Sequence, residues 1–201
     1  MNKAAFSWVV VFVAVLLWSA WRPHDYPTWL LEVFPALVAL VILTVTRKRF
    51  PLTPLLYVLI LAHAVILMVG GHYTYAEVPI GNWLRELTSG TRNNYDKLGH
   101  LAQGFVPAMV ARELLLRLHI LARKSWLGFL IICICLAISA FYELIEWWVA
   151  LLSSQAAESF LGTQGYIWDT QSDMLMALVG AIVALLLLSR VHDRQLARLP
   201  S

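Results

Sequence analysis

The chain has 201 residues, of which 60% are hydrophobic and only 13% are charged, and it contains nine Trp. A soluble domain needs more charged residues to cover its surface, so this composition excludes a soluble globular protein and indicates one integral membrane domain over residues 1–201. The formal net charge is +3, but the basic residues form short clusters between apolar runs. That pattern is typical of membrane loops and argues against binding to nucleic acid.

Six apolar segments are long enough to cross roughly 30 Å of hydrocarbon as helices. They cover residues 4–21, 28–46, 54–71, 98–118, 126–150 and 171–189. The sequence therefore predicts an all-α polytopic protein with about six transmembrane helices. The first three helices belong to residues 1–71, an outer loop to residues 72–97, and the last three helices to residues 98–190.

Lysine and arginine residues are distributed unevenly between the two ends of these predicted helices. A cytoplasmic N-terminus puts ten of them on the inner side and four on the outer side, with Arg112 inside a span. Because cytoplasmic loops are enriched in Lys and Arg, both termini are predicted to be cytoplasmic. The two longest loops, residues 72–97 and 151–170, then lie outside, and we expect both to be folded caps. The first of them contains a short predicted helix at IGNWLRELT.

The fourth predicted helix begins with polar residues that share one face. Asp96, His100 and Gln103 are spaced i, i+4 and i+7, so their side chains project from the same side of the helix. Lys97 follows directly after Asp96. Since a polar face in a membrane helix must turn away from lipid, we expect these residues to line an interior pocket.

The next two helices each contribute a pair of carboxylates. Glu143 and Glu146 lie three residues apart in FYELIEWW, and Asp169 and Asp173 lie four apart in WDTQSDMLMALVG. In the predicted topology, both pairs lie at the outer end, at a depth similar to that of the polar face of the fourth helix. Each charge costs about 2.5 to 3.5 kcal/mol inside the membrane, so these carboxylates need partners or protons. We therefore predict a carboxylate-rich pocket, formed by the last three helices, that opens to the outer side.

Three chemical interpretations of this pocket stay open. A divalent cation is one, because carboxylates and imidazole at helical spacing are suitable ligands; the candidate ligands are Asp96, His100, Glu143, Glu146, Asp169 and Asp173. Acid–base catalysis is another. Its catalytic candidates are Glu143, Glu146 and Asp173, with Asp96, Lys97, His100, Gln103, His72 and Tyr73 as substrate-binding residues. The third interpretation is an inert network of ion pairs and helix caps, in which Lys97 pairs with Asp96 or Asp169, and His100 pairs with Glu143.

The segments YDKLGHLAQGF, FYELIEWW and WDTQSDMLMALVG, in this order, resemble the YjdF family of bacterial inner-membrane proteins over nearly the whole chain. Over about residues 93 to 190 they are more distantly similar to VanZ-like membrane proteins. The VanZ-like pattern has Asp-Lys-x-x-His, then an acidic pair, then Asp-x-x-x-Asp. It falls here on Asp96, Lys97 and His100, on Glu143 and Glu146, and on Asp169 and Asp173. The resemblance implies a multi-pass protein of the inner membrane with an envelope-facing role.

The leading functional hypothesis is that the pocket binds or acts on an envelope or lipid-linked polar group, with a divalent cation as a candidate cofactor. Enzyme and binding protein both stay open as interpretations. A proton- or ion-coupled transporter is the alternative, and it ranks second because the last helix has no acidic residue below the level of Gln103 until after residue 189. A second alternative is a non-enzymatic membrane scaffold.

Overall fold

A computed structural model describes residues 3–152 and 166–199. In that part, the chain forms seven α-helices, which are α1 (Lys3–Ala20), α2 (Tyr26–Thr46), α3 (Pro54–Tyr73), α4 (Pro79–Leu87), α5 (Tyr95–Arg117), α6 (Leu127–Leu152) and α7 (Asp169–Leu196). The short helix predicted at IGNWLRELT is α4. The described residues contain no β-strand, and the predicted all-α class is confirmed. Most of the cap expected over residues 151–170 lies outside the described residues.

Five of the described helices, α1, α2, α3, α6 with its preceding turn, and α7, are long and apolar enough to cross a membrane. The remaining predicted span, α5, has 23 residues and reaches about 35 Å, but its polar residues keep it outside this group. It nevertheless runs beside α7 along its whole length. Lys97 near its start contacts Asp173, and Arg112 near its end contacts His192. α5 is thus parallel to α7, as a six-helix topology requires.

The two ends of the helix bundle have different chemical surroundings. Helices α2, α5 and α7 begin at one end, where α1, α3 and α6 finish, as the contacts of His72 with Ser19 and of His100 with Glu143 indicate. We call this the polar end. The opposite end, which we call the basic end, carries residues 47–49 and Arg117, Arg123, Lys124, Arg190 and Arg194.

Small residues allow α5 and α7 to approach until backbone meets backbone. A Cβ atom added to Gly104 would lie 1.8 Å from the Ala177 carbonyl oxygen, and one added to Gly180 would lie 2.1 Å from the Leu101 carbonyl oxygen. Ala181 continues the small face of α7 and is fully buried. Close approach through small residues is a common way for membrane helices to associate. It fixes the polar start of α5 against the polar start of α7.

A buried polar cluster joins three segments at the basic end. The carboxylate of Glu113 accepts hydrogen bonds from the Thr53 hydroxyl at 2.7 Å and from Arg117 at 2.8 Å. His192 Nε2 lies 2.9 Å from Glu113 Oε2, which also accepts from Thr53, whereas Arg117 donates to Oε1. Both oxygens of Glu113 therefore have partners within the protein, which is what a buried charge requires.

Candidate functional site

Lys97 links α5 to the start of α7. Its Nζ donates to Asp169 Oδ1 at 3.0 Å, to the Ser172 hydroxyl at 2.6 Å and to Asp173 Oδ1 at 2.5 Å. Arg92, in the segment before α5, donates to Asp169 Oδ1 at 3.1 Å. The two aspartates of α7 therefore face cationic side chains that come from α5 and from the loop before it.

His100 lies between the carboxylates of α5, α6 and α7. Its Nε2 is 3.3 Å from Asp96 Oδ1 and 3.9 Å from Asp173 Oδ2. Its Nδ1 is 3.1 Å from Gln103 Oε1 and 3.9 Å from Glu143 Oε1. One ring nitrogen therefore faces the aspartates, and the other faces Gln103 and α6.

α6 contributes Glu143 and Glu146, and one carboxylate oxygen of Glu143 has no hydrogen-bond partner among the described residues. Glu143 is 9% exposed, and its Oε1 atom has no hydrogen-bond partner among the described residues. Ser139, one turn earlier on α6, is fully buried, and its hydroxyl oxygen also has no partner in that part of the chain. Glu146 is half-buried. Because an unpaired buried polar atom costs about 1 to 3 kcal/mol, the Glu143 oxygen is a feature that packing alone does not explain.

α2 and the turn after α3 complete the polar end. Glu32 of α2 is buried, and its carboxylate accepts a hydrogen bond from the Tyr142 hydroxyl at 3.4 Å. Tyr75 is seated against two glycines, since a Cβ atom on Gly70 or Gly99 would lie 2.6 Å or 2.9 Å from its ring. Burial raises the pKa of the Tyr75 phenol well above its usual value of 10.0, and the charge of Glu32 adds to the shift. Tyr75 thus stays a neutral hydroxyl at physiological pH.

The three predicted helices therefore do not account for the whole polar cluster, because α2 contributes Glu32. A signal for Glu32 was present. It is the single acidic residue in the apolar run over residues 28–46, and ionisable residues within membrane helices are candidates for functional sites.

Two of the predicted pocket residues, His72 and Tyr73, lie elsewhere at the polar end. His72 Nδ1 is 3.0 Å from the Ser19 carbonyl oxygen, and its ring lies 4.5 Å from that of Trp18. The Tyr73 ring lies 6.0 Å from the same tryptophan. These contacts are with α1, and neither residue lines the cavity at the polar cluster. Four further predicted pocket residues also lie outside its lining, namely Lys97, Glu143, Asp169 and Asp173.

A cavity of about 590 Å³ extends from the polar cluster along α2, α3, α5 and α6. Its polar end is lined by Glu32, Tyr75, Asp96, His100, Gln103, Tyr142 and Glu146. From there its walls are mainly apolar, and they reach Thr46 at the end of α2. The separation of Glu32 and Thr46 along α2 corresponds to about 21 Å of helix rise. The cavity is therefore a long groove with an acidic head.

Two sets of metal-binding side chains meet at His100. The aspartate set consists of Asp96, His100 and Asp173, and the glutamate set consists of His100, Glu143 and Glu146. In each set, one donor atom from each residue lies within 4.8 Å of the others. Asp169, the sixth ligand candidate from the sequence, belongs to neither set. Combinations of imidazole and carboxylate suit divalent cations such as Mn²⁺, Fe²⁺ and Zn²⁺.

Comparison with known proteins gives two matches. A family model described as "Predicted membrane protein (DUF2238)" matches residues 4–194. The curated Inner membrane protein YjdF of Escherichia coli strain K12 is 54% identical over 184 residues, which cover 92% of this chain and 88% of that protein. No solved structure matches the chain. Neither match supports the more distant resemblance to VanZ-like proteins. The length and identity of the matches confirm the predicted YjdF resemblance, and the chain belongs to this family as a multi-pass protein of the bacterial inner membrane.

Proposed function

We propose that the protein binds a lipid-linked polar group of the cell envelope, with the polar group at the carboxylate and histidine cluster and the lipid chain in the apolar groove. The observation that carries this proposal is the two-part character of this cavity. Its head is lined by Asp96, His100 and Glu146, whereas its length is lined by side chains such as Val106, Val110 and Ile134. Water-soluble ligands do not need an apolar groove of this length.

The dimensions of the groove fit a lipid chain. The groove follows α2 for about 21 Å of helix rise, which is close to half of the membrane thickness plus one interfacial layer. Its side is accessible, since Ile42 of α2 and Ile138 of α6 line it and are 54% and 40% exposed. A lipid could therefore enter from the bilayer between these helices while its head group stays at the polar end. With the predicted topology, that end faces the periplasm.

Photocrosslinking tests this proposal. The full-length protein is reconstituted in vesicles that contain a phospholipid with a diazirine in its acyl chain, and labelled peptides are mapped after irradiation. We expect labelling of the groove walls on α2, α5 and α6. Ala111→Phe, which fills the groove, is expected to reduce this labelling about tenfold, equivalent to a loss of ~1.4 kcal/mol in binding. Ala111 lies on the groove wall.

Ala137→Phe is the matched control, because Ala137 is exposed on α6 and does not line the groove. It should leave the labelling of the groove walls unchanged. Equal labelling of the wild type and of both variants, or labelling confined to the outer helix faces, contradicts lipid binding in the groove. A lipid with a photoactivatable polyprenyl chain, used in a parallel experiment, distinguishes an acyl lipid from a carrier lipid.

The transporter alternative draws support from the buried polar cluster at the basic end, where His192 joins Glu113. Polar groups therefore lie near both ends of α5. The stretch between them contains the buried apolar residues Val106, Ala108 and Met109, which offer no groups for carrying a proton or an ion. This apolar stretch favours lipid binding over transport. A flux driven by a pH gradient in proteoliposomes would reverse that order.

A further inference from the structure

The aspartate set and the glutamate set differ in their charge balance. In the aspartate set, Lys97 Nζ lies 2.5 Å from Asp173 and 3.8 Å from Asp96. In the glutamate set, the described ion pair is the contact of 3.9 Å between His100 and Glu143. Two ionised carboxylates beside one imidazole would leave negative charge uncompensated in a partly buried site, so this set needs a proton or a further cation. A further positive charge would therefore stabilise the glutamate set more than the aspartate set, which already has Lys97.

The Glu143 oxygen that lacks a hydrogen-bond partner also favours a cation in the glutamate set. Its Oε1 atom is buried, has no hydrogen-bond partner in the described part of the chain, and is directed towards His100 Nδ1. Glu113, another buried carboxylate, has partners on both oxygens. A buried acceptor without a partner needs an explanation, and a bound ion that is not part of the chain is one.

The orientation of His100 is suitable for binding a metal ion. A histidine that ligates a metal through one ring nitrogen normally donates the other N–H to a carboxylate, which holds the ring in place. Asp96 Oδ1 lies 3.3 Å from His100 Nε2 and can play that part. The other nitrogen, Nδ1, faces Glu143 Oε1 at 3.9 Å and Gln103 Oε1 at 3.1 Å.

The donor atoms of the glutamate set would have to move only slightly closer together to bind one ion. They lie within 4.8 Å of one another. Metal–ligand bonds of about 2.0 to 2.2 Å place neighbouring ligand atoms roughly 3 to 3.5 Å apart. Side-chain shifts of about 1 Å, well within rotamer adjustment, would therefore close the set around an ion.

We propose that His100 Nδ1, Glu143 and Glu146 bind one divalent cation of the first transition series, such as Mn²⁺ or Zn²⁺, at the head of the groove. Gln103 Oε1 is positioned as a further oxygen ligand, and Asp96 is the positioning residue for His100. One nitrogen with carboxylate oxygens is a donor set that suits these ions. The inference deepens the proposed lipid-binding function, since a cation would let this acidic head accept a negatively charged head group.

The test uses the full-length protein in detergent, stripped with EDTA and titrated with Mn²⁺ alone, with free Mn²⁺ measured by electron paramagnetic resonance. We expect about one tightly bound ion per chain. Pulsed measurements on the bound ion should detect coupling to a histidine nitrogen, and His100→Ala should abolish that coupling. Glu143→Gln and Glu146→Gln should each weaken binding at least tenfold, and Asp96→Asn should weaken it about ten- to a hundredfold.

Asp169→Asn is the matched control. It makes the same change from acid to amide at the polar end, but Asp169 belongs to neither donor set and pairs with Lys97 and Arg92. It should leave the affinity for Mn²⁺ within about twofold of that of the wild type. The nitrogen coupling is measured on the wild type, so binding through His100 is tested even if a glutamate variant does not fold. Retained binding in Asp173→Asn then excludes the aspartate set, which shares His100.

Three outcomes overturn the inference: no stoichiometric Mn²⁺ in the wild type, bound Mn²⁺ without nitrogen coupling, or unchanged binding in Glu143→Gln. Loss of binding in Asp173→Asn alone would also overturn it, in favour of the aspartate set. Photocrosslinking of the EDTA-treated protein separates the two proposals. Lipid labelling of the groove without metal binding leaves the proposed function standing, and metal binding without lipid labelling leaves the ion site standing.

Discussion

Buried carboxylates in this protein differ in whether other described residues provide hydrogen-bond partners for both of their oxygens. Glu113 at the basic end is fully buried, and its partners include the Thr53 hydroxyl, Arg117 and His192. Glu143 at the polar end is nearly as buried, yet one of its oxygens has no partner among the described residues. The first arrangement is typical of a structural ion network, whereas the second is typical of a binding site.

Loss of the Glu113 charge should therefore destabilise the protein. Glu113→Gln leaves Arg117 and His192 without their anionic partner, and breaking a buried ion pair typically costs about 3 to 5 kcal/mol. We expect a clear fall in the thermal unfolding midpoint in detergent. Glu86→Gln, the same change at an exposed position of α4, should shift the midpoint hardly at all. An unfolding midpoint equal to that of the wild type for Glu113→Gln would show that the basic-end network contributes little.

Asp25 caps the start of α2, outside the membrane-spanning segment. Its Oδ2 accepts hydrogen bonds from the Thr28 backbone N–H at 2.9 Å and from the Thr28 hydroxyl at 2.6 Å. These bonds lower the pKa of the Asp25 carboxyl below its usual value of 3.8. Asp25→Ala removes the cap and should cost about 0.5 to 2 kcal/mol of stability.

The pH dependence of this cap has a definite sign. Because the folded-state pKa is lowered, the stabilisation by the ionised cap is fully present above the unfolded-state pKa and is lost as the pH falls through the folded-state value. The difference in unfolding midpoint between the wild type and Asp25→Ala should therefore be constant above about pH 5 and shrink below it. Asp25→Asn, which still caps but does not titrate, should lack this dependence. A difference that grows on acidification would contradict the assignment.

At the scale of elements, the contact between α5 and α7 depends on glycine. The added Cβ atoms at Gly104 and Gly180 would meet carbonyl oxygens of the facing helix and not flexible side chains. Gly180→Ala should therefore force the two helices apart, lower the unfolding midpoint and disturb the contact of Lys97 with Asp173. Gly128→Ala on α6, where a Cβ atom meets nothing within 4 Å, should be neutral or slightly stabilising. Similar midpoints for the two variants would contradict a backbone-to-backbone contact.

α4 is an amphipathic helix whose apolar side has no cover in the described structure. Ile80, Trp83, Leu84 and Leu87 recur at i, i+3, i+4 and i+7, and all four are exposed. Asn93 holds the start of α4 near α5 by donating to the Val78 carbonyl oxygen at 2.9 Å. A stripe of this kind on a short helix between two membrane helices fits the bilayer interface.

Spin labelling can test this position of α4. A nitroxide at position 83, in a variant in which Cys133 and Cys135 are replaced by Ala, should be more accessible to oxygen than to a water-soluble nickel complex. A nitroxide at position 86, on the polar side of the same helix, should have the opposite preference. Equal accessibility to the nickel complex at both positions would contradict an interfacial helix.

At the scale of the whole molecule, the parallel orientation of α5 and α7 favours six membrane crossings over five. Five apolar helices alone would place the termini on opposite sides, whereas six crossings place them on the same side. The basic residues at one end then predict that both termini are cytoplasmic. A C-terminal green fluorescent protein fusion should fluoresce, and alkaline phosphatase fused after residue 88 should be active. Active phosphatase at the C-terminus would contradict six crossings.

The apolar helices could be predicted because their signal is local. Length and hydropathy along residues 28–46 or 54–71 identify a spanning helix without knowledge of its neighbours. The short helix α4 was also predicted from its local pattern. The polar faces of α5, α6 and α7 follow from spacing, since residues such as Asp96 and His100 four apart must share one face.

The sequence by itself determined the class of the protein, its location and the polar faces of its helices, because these follow from composition and from spacing within single helices. The tertiary structure alone decided which faces meet. It added Glu32 and Tyr75 to the polar cluster, placed His72 outside that cluster against α1, and opened an apolar groove below the cluster. Those outcomes depend on contacts between residues far apart in the chain, such as Gly104 with Ala177 and Gly99 with Tyr75. Helical periodicity gives the direction of a side chain but not the identity of the neighbouring helix.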